Sequence, residues 1–349
     1  MPSSLLQKKL WSLWDMKHSN ISIFVPHIGC PHRCSFCDQN TISGAESIPH
    51  GSDVREICSK ALAEVKSPEN AEIAFFGGSF TAIPEKYMTE LLEAAYEFVG
   101  EGKFRGIRVS TRPDCINRQV LGILKRYGVT AIELGAQSMD DEVLAANERG
   151  HTAGDVEEAS HLIKEYGFEL GLQMMIGLYK STVMSEEMTY GRIAKLHPDT
   201  LRIYPVVILK GTRLGELYES GEFVPFSFDE AVELCSVFME RAAHNGIRVI
   251  KAGLHASEFV EENMLGGFYH PAFRELCEGR IYLRMFRNIL KEYKYAKVSV
   301  PARRLSQAMG HKKCNISYFS DKGKELVILP CEGQEESIRI IERRWMNVS

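Results

Sequence analysis

Three cysteines, Cys30, Cys34 and Cys37, stand in the run Ile28-Gly29-Cys30-Pro31-His32-Arg33-Cys34-Ser35-Phe36-Cys37. Three thiolates on one short loop can bind three irons of a cubane [4Fe–4S] cluster and leave the fourth iron without a protein ligand. A cluster that only carries electrons normally takes four cysteines. An iron left open is where a small molecule binds, as an open position marks a catalytic rather than a structural zinc. Zinc is the competing reading of these thiols, because His27 or His32 can supply its fourth ligand. The blandest reading is three thiols incidental to a core.

Such a loop has to be held by rigid elements. Short apolar, β-branched runs at 21–26, 72–76, 106–111, 129–134, 170–176 and 200–206 alternate with helix-like stretches at 53–66, 85–99, 118–127 and 153–166. Strand–helix alternation predicts parallel strands joined by right-handed crossovers. Six units make an α/β fold of partial (β/α)6 TIM type, with its chemistry at the C-terminal ends of the strands. The cysteine loop follows the first strand directly and so falls on that face. After about residue 249 the rhythm breaks. Residues 254–271 read as a Gly- and His-bearing connection, a helix is expected over 272–293, and 295–349 read as a small α+β appendage. The domains expected are an N-terminal extension (1–19), the partial barrel (20–255) and a C-terminal α+β accessory domain with a basic surface (256–349).

The bulk numbers set limits. The chain has 349 residues, 44% hydrophobic and 25% charged, which is ordinary for a globular protein. No run of apolar residues is long enough to span a membrane, and the N-terminus lacks the basic-then-apolar order of a signal peptide. A cytoplasmic location is expected, and a reducing compartment keeps thiols available for iron. The other six cysteines, Cys58, Cys115, Cys235, Cys277, Cys314 and Cys331, read as buried thiols; an auxiliary cluster on Cys277, Cys314 and Cys331 is the alternative. The net charge is −4, yet residues 272–349 hold 16 Lys and Arg against 9 Asp and Glu, so an anionic partner is expected there.

The CxxxCxxC spacing, with the aromatic Phe36 before its last cysteine, resembles the signature of the radical S-adenosylmethionine (SAM) superfamily. Later strand ends carry Gly77-Gly78-Ser79, Ser110-Thr111-Arg112-Pro113-Asp114, Gly135-Ala136-Gln137-Ser138 and Arg149-Gly150-His151. With Arg202–Thr212 these look like the radical SAM module of the Elongator catalytic subunit, without its acetyltransferase domain. Oxygen-independent coproporphyrinogen oxidase is a more distant likeness. The resemblance covers roughly residues 20–260. It implies that Cys30, Cys34 and Cys37 hold the [4Fe–4S] cluster and that Gly77, Gly78 and Ser79 grip the SAM amine. It places Ser110 or Thr111, Gln137 and Gln173 along the SAM ribose and methionine. Arg149 then takes the SAM carboxylate, a task suited to a guanidinium fork.

Two departures are visible. Tyr179 and Lys180 replace a Pro-Gly turn, and Gln173 stands where porphyrin-type relatives carry an aspartate. By resemblance the chain is a radical enzyme on RNA, in particular tRNA, with an electron donor of flavodoxin or ferredoxin type. Arg303, Arg304, Lys312 and Lys313 are the expected phosphate contacts, with Tyr318 and Phe319 as stacking partners. Two alternatives remain: a small-molecule or tetrapyrrole substrate under the 254–271 connection, with His255 and His270, and a non-catalytic haem or cluster carrier.

Overall fold

A computed structural model describes residues 19–25, 30, 34–38, 48–254, 258–331 and 338–345. The chain divides into two compact units, one within 17–226 and 255–269, the other within 227–254 and 270–349. This differs from the expected boundary after residue 255. The stretch 227–254 goes with the C-terminal unit, and 255–269 returns to the first.

In the first unit β1 (Ser19–Val25), β2 (Ala71–Gly77), β3 (Gly106–Thr111), β4 (Val129–Gln137), β5 (Glu169–Ile176) and β6 (Thr200–Pro205) pair in sequence order, all parallel. The intervening helices are α1 (Gly51–Glu64), α2 (Glu85–Tyr96), α3 (Arg118–Arg126), α4 (Asp141–Ala146), α5 (Ala153–Glu165) and α6 (Val183–Lys195). This is the curled parallel sheet of a partial TIM-type barrel, as the alternation predicts. Asn117 caps α3, and Thr152 and Thr182 close capping boxes on α5 and α6, so these crossovers start where side chains satisfy the first amides.

One face of the strands is apolar and fully buried, with Ile73, Phe75, Ile107, Val109, Ile132, Leu134, Leu170, Leu172, Leu201 and Ile203. The alternate positions carry charge. Arg108 has no exposed surface and reaches Glu72 (2.8 Å), Glu133 (3.3 Å) and Glu169 (2.6 Å). Arg202 grips both oxygens of Glu133, at 2.7 and 3.1 Å. Burial pushes the Glu72 carboxyl up, but Arg108 and Arg105 overcome it and hold the group at about 2. Burial opposes the charge on Glu133 as well, and Arg202 and Arg108 hold it below the usual carboxylate range. Such a lattice adds little net stability over an apolar core, yet removing one partner costs about 3–5 kcal/mol through the charge left behind.

After β6 come β7 (Val207–Leu209) and α7 (Arg213–Glu219). The second unit then supplies α8 (Phe228–His244) and β8 (Arg248–Ala252) before the chain returns through α9 (Glu258–Asn263) and β9 (Met264–Gly267). The stretch read as an irregular connection thus contains a strand that pairs antiparallel with β7. Phe268, just beyond it, packs on Gly177, where a Cβ would lie 2.4 Å from the ring.

In the second unit α10 (Phe273–Ile289) leads to β10 (Tyr293–Pro301), α11 (Leu305–Met309), α12 (Cys314–Ser320), β11 (Glu325–Cys331) and β12 (Arg339–Trp345). Central β10 runs parallel to β11 and antiparallel to β12. Ala296, Val298 and Val300 alternate into its core. Cys314 is exposed, contrary to the expectation of buried thiols. Buried Cys277 hydrogen-bonds Cys235, which with burial raises its pKa well above the ordinary thiol value.

Glu186 on α6 is buried, and its Oε1 accepts from the amide of Gly177 at 2.8 Å. Burial raises its carboxyl from 4.5 to about 7 against the hydrogen bond from Gly177. A raised folded-state value makes ionisation unfavourable for the fold, so stability falls as pH climbs from 4.5 through about 7. Glu186→Gln keeps the acceptor and removes the charge. Urea melts at pH 5 and pH 8 are expected to show the wild type losing about 3 kcal/mol more than this variant.

Candidate functional site

The C-terminal ends of β1 to β5 gather most of the residues singled out by sequence. Val25 ends β1, and its carbonyl accepts from Gly78 N at 2.8 Å. Gly77 has φ +113°, and a Cβ there would stand 2.4 Å from the same carbonyl and 2.8 Å from the Phe24 ring. The close approach that requires Gly77 is therefore to β1, the strand that delivers the cysteine loop, rather than outward to a ligand as its motif suggests. Ser79 is buried and precedes the short turn Phe80–Ala82, its backbone oxygen accepting from Ala82 N at 3.0 Å.

Cys30, Cys34 and Cys37 are half-buried. Burial, then the neighbouring Cys34 and Cys30, push the Cys37 thiol up to about 12 against the pull of Arg149. The three thiols thus feel one another. Among the described residues no three His, Cys, Asp or Glu side chains converge as ligands of a single ion. His27 and His32, the candidate zinc ligands, lie outside the described residues, as do His255 and the 1–18 extension.

Ser35, inside the loop, is pinned by residues the sequence did not single out. Its amide and hydroxyl bond to the backbone oxygen (3.1 Å) and Oδ1 (3.0 Å) of Asn147, and its carbonyl accepts from Leu214 N (2.7 Å). Asn147 has no exposed surface, and its Nδ2 donates to Val143 O (2.8 Å) and Tyr179 O (2.9 Å). One amide therefore ties the cysteine loop to the turn after β5. The only sequence signal for it is an asparagine next to the Arg149 element.

Arg149, nearly buried, donates to Cys34 Sγ at 2.9 Å and Gly135 O at 2.7 Å, with its guanidinium 6.0 Å from the Phe36 ring centroid. His151 bonds Ala136 O, and burial followed by the Arg149 charge lowers its pKa to about 4, so it is neutral near pH 7. At the end of β4 the register with β5 slips between Gly135 and Gln137, and Gln137 takes φ 63°. A bulge of this kind re-aims a side chain.

The fit of these residues to SAM rests on their unspent polar atoms. Buried Ser110 Oγ, Gln137 Oε1 and Arg149 Nε have no hydrogen-bond partner within the described chain. Buried polar atoms are nearly always paired, so three together are what a polar ligand satisfies. Two expected contacts are committed elsewhere. Thr111 Oγ1 lies 2.6 Å from Thr81 Oγ1, so of the pair at 110 and 111 only Ser110 has its hydroxyl to spare. Gln173 Nε2 donates to Glu133 Oε2 at 3.0 Å and joins the ion lattice. In the second unit His270 Nδ1 accepts from Ala272 N at 3.0 Å.

A parallel half-barrel with three thiols and unspent donors at its strand ends defines a class. Residues 24–189 match the radical SAM superfamily and residues 198–282 the radical SAM C-terminal domain, and the chain belongs to that superfamily, whose enzymes use a [4Fe–4S] cluster and SAM. Within it, the chain is similar to the tRNA uridine(34) acetyltransferase of Methanocaldococcus jannaschii, 27% identical over 247 residues (59% of this chain, 46% of the relative). It is similar also to Elongator complex protein 3 of Homo sapiens, 33% identical over 190 residues (48% of this chain, 34% of the relative). The chain spans about half the length of these curated relatives or less. The solved structure of Methanocaldococcus infernus Elp3 shares the fold, with a TM-score of 0.53 at 20% identity over 70% of this chain and 61% of that one.

Asn147→Leu strips three side-chain hydrogen bonds, one to the cysteine loop, one to the turn after β5 and one to Val143 in α4. Each buried group left unpaired costs about 1–3 kcal/mol. The variant is expected to melt earlier and to retain less iron per chain after anaerobic reconstitution, with Ser35→Ala intermediate. Iron content equal to the wild type in both would show the cysteine loop is held without this node.

Proposed function

We propose that the chain is a radical SAM enzyme acting on RNA of the tRNA type. The reading of the site is carried by one observation, the unspent Ser110, Gln137 and Arg149 atoms grouped at the strand ends beside the three-cysteine loop. Cys30, Cys34 and Cys37 hold the cluster as thiolates. When bound, the cluster and SAM together supply an electron and a 5′-deoxyadenosyl radical able to take a hydrogen atom from an unactivated C–H bond.

The residues of the chain bind and orient. Gly77 and Gly78 fix the end of β1, from which the cysteine loop departs, and Gly78 and Ser79 present backbone to the SAM amine. Arg149 holds positive charge against Cys34 and offers its remaining edge to a carboxylate. Ser110 and Gln137 supply hydroxyl and amide partners along the nucleoside. Thr111 and Gln173 support this set from behind, through Thr81 and Glu133. No side-chain nucleophile is required, and the neutral, buried His151 is consistent with a positioning role.

RNA as substrate is supported by the Methanocaldococcus jannaschii relative, whose name specifies tRNA uridine(34), and by the excess of Lys and Arg over residues 272–349. The expected phosphate contacts need one correction. Arg304 is buried and paired with Glu278 at 3.3 Å, and Phe319 is buried, so neither faces an RNA.

Anaerobically reconstituted protein with dithionite and SAM is expected to form 5′-deoxyadenosine several-fold faster with total small RNA than without, and Cys34→Ala to form none. Turnover indifferent to RNA would remove the RNA substrate and leave the radical chemistry. No cleavage by iron-replete protein would remove both.

A further inference from the structure

The three-stranded sheet of the second unit exposes a face that the barrel chemistry does not use. Opposite residues on antiparallel strands stand side by side, and β10 and β12 align Tyr293 with Trp345 and Tyr295 with Arg344. The Tyr293 and Trp345 rings lie 4.4 Å apart between centroids at 35°. Arg343 covers the Tyr293 ring and Arg344 the Tyr295 ring, each guanidinium 4.5 Å from the centroid. Trp345 nevertheless leaves 63% of its surface exposed. Beside it lies a cleft of about 770 Å³ whose walls include Lys294, Tyr295, Lys322, Arg344 and Trp345.

We infer that this face is a docking surface for unpaired RNA, with bases stacking on Trp345 and phosphates meeting Lys294, Lys322 and Arg344. The inference rests on the RNA reading above and assigns it residues. Flat rings interleaved with cations match a chain of stackable bases joined by phosphates, and that pattern is indifferent to sequence. A duplex hides its base faces, so the surface selects single-stranded segments.

Among the described residues, Glu325 is on the cleft wall and Glu342 holds Arg344 at 2.8 Å. That pair is exposed, and exposed pairs contribute little, so a phosphate can take the carboxylate's place. Lys324 is excluded, because its ammonium already donates to Leu290 O and Lys291 O. The surface differs from the one the sequence suggests. Arg304 and Phe319 are buried, and Tyr318 is covered by Lys322 and Arg287, whose cationic groups stand 4.9 and 5.7 Å from its ring centroid.

The test is fluorescence anisotropy of full-length protein with a fluorescein-labelled oligouridylate over a salt series, alongside RNA-dependent and RNA-independent 5′-deoxyadenosine formation. Lys294→Glu with Lys322→Glu, both exposed, is expected to weaken binding about tenfold or more and to flatten the salt slope by about 2. Trp345→Ala is expected to weaken binding at least fivefold, and Trp345→Phe to restore most of it. RNA-independent turnover should stay at the wild-type rate in all three, which separates the surface from the barrel. If the wild type binds RNA and is stimulated by it while the variants bind as tightly, the surface is wrong and the RNA reading stands. If the wild type neither binds nor responds, the RNA reading itself fails. Displacement of the RNA by poly-L-glutamate at equal charge would overturn the inference in favour of an acidic protein partner.

Discussion

The carboxylate of Glu133 is shared between Arg108 and Arg202, and the organisation of the half-barrel follows from that sharing. Glu133 lies on β4, Arg108 on β3 and Arg202 on β6, so one anion links three strands across the sheet. Glu72 and Glu169 extend the network to β2 and β5. An apolar filling tolerates sliding and repacking, because dispersion has little direction. A bidentate guanidinium–carboxylate pair fixes distance and orientation together. The network thus sets how β2 to β6 stand relative to one another, and with them where their C-terminal ends lie.

Those ends carry the candidate chemistry, and contacts there form a chain of dependence. Gln173, level with Arg202 in the strand register, hangs from Glu133. Ser110, level with Glu133, keeps a polar atom uncommitted, as do Gln137 and Arg149, while Thr111 is spent on Thr81. Other buried polar atoms also lack a partner, Asn20 Oδ1 and Thr200 Oγ1 at the opposite strand ends among them, so what marks the mouth is that Ser110, Gln137 and Arg149 stand together beside the cysteines.

Much of this was legible in the sequence, for identifiable reasons. Strand positions followed from β-branched runs: the expected 106–111 is β3 itself, and the other five lie within a few residues of β1, β2, β4, β5 and β6. The cysteine loop could be read as a candidate metal site because its spacing is a local pattern. What the sequence hid was pairing at long range. Asn147 and Ser35 are 112 residues apart, and nothing local marks either as half of a hydrogen bond. The antiparallel pairing of β9 with β7 was equally invisible, since the four residues Met264–Gly267 carry no alternation to read. Arg303-Arg304 looked like a surface patch because charge in sequence does not report burial; the partner that takes Arg304 inside, Glu278, lies 26 residues upstream.

Backbone strain in the first unit is concentrated at the same rim. Gln137 at the end of β4, Glu148 before the Arg149 element and Lys180 after β5 all hold positive φ without being glycine, at 63°, 55° and 62°. His197, at 48°, is the exception, since it precedes β6. Such conformations cost of order 1–3 kcal/mol each and persist only where the surroundings over-determine them. Here the surroundings are visible. Gln137 follows a bulge braced by the β4–β5 ladder, Glu148 sits next to buried Asn147, and Lys180 follows Tyr179, whose carbonyl Asn147 holds. Asn147 therefore stands at the junction of two strained turns and the cysteine loop. A change in any one of the three is transmitted to the others through four hydrogen bonds to a single side chain and its backbone oxygen. The described part of the cysteine loop is thus tied through Asn147 to the turns around it.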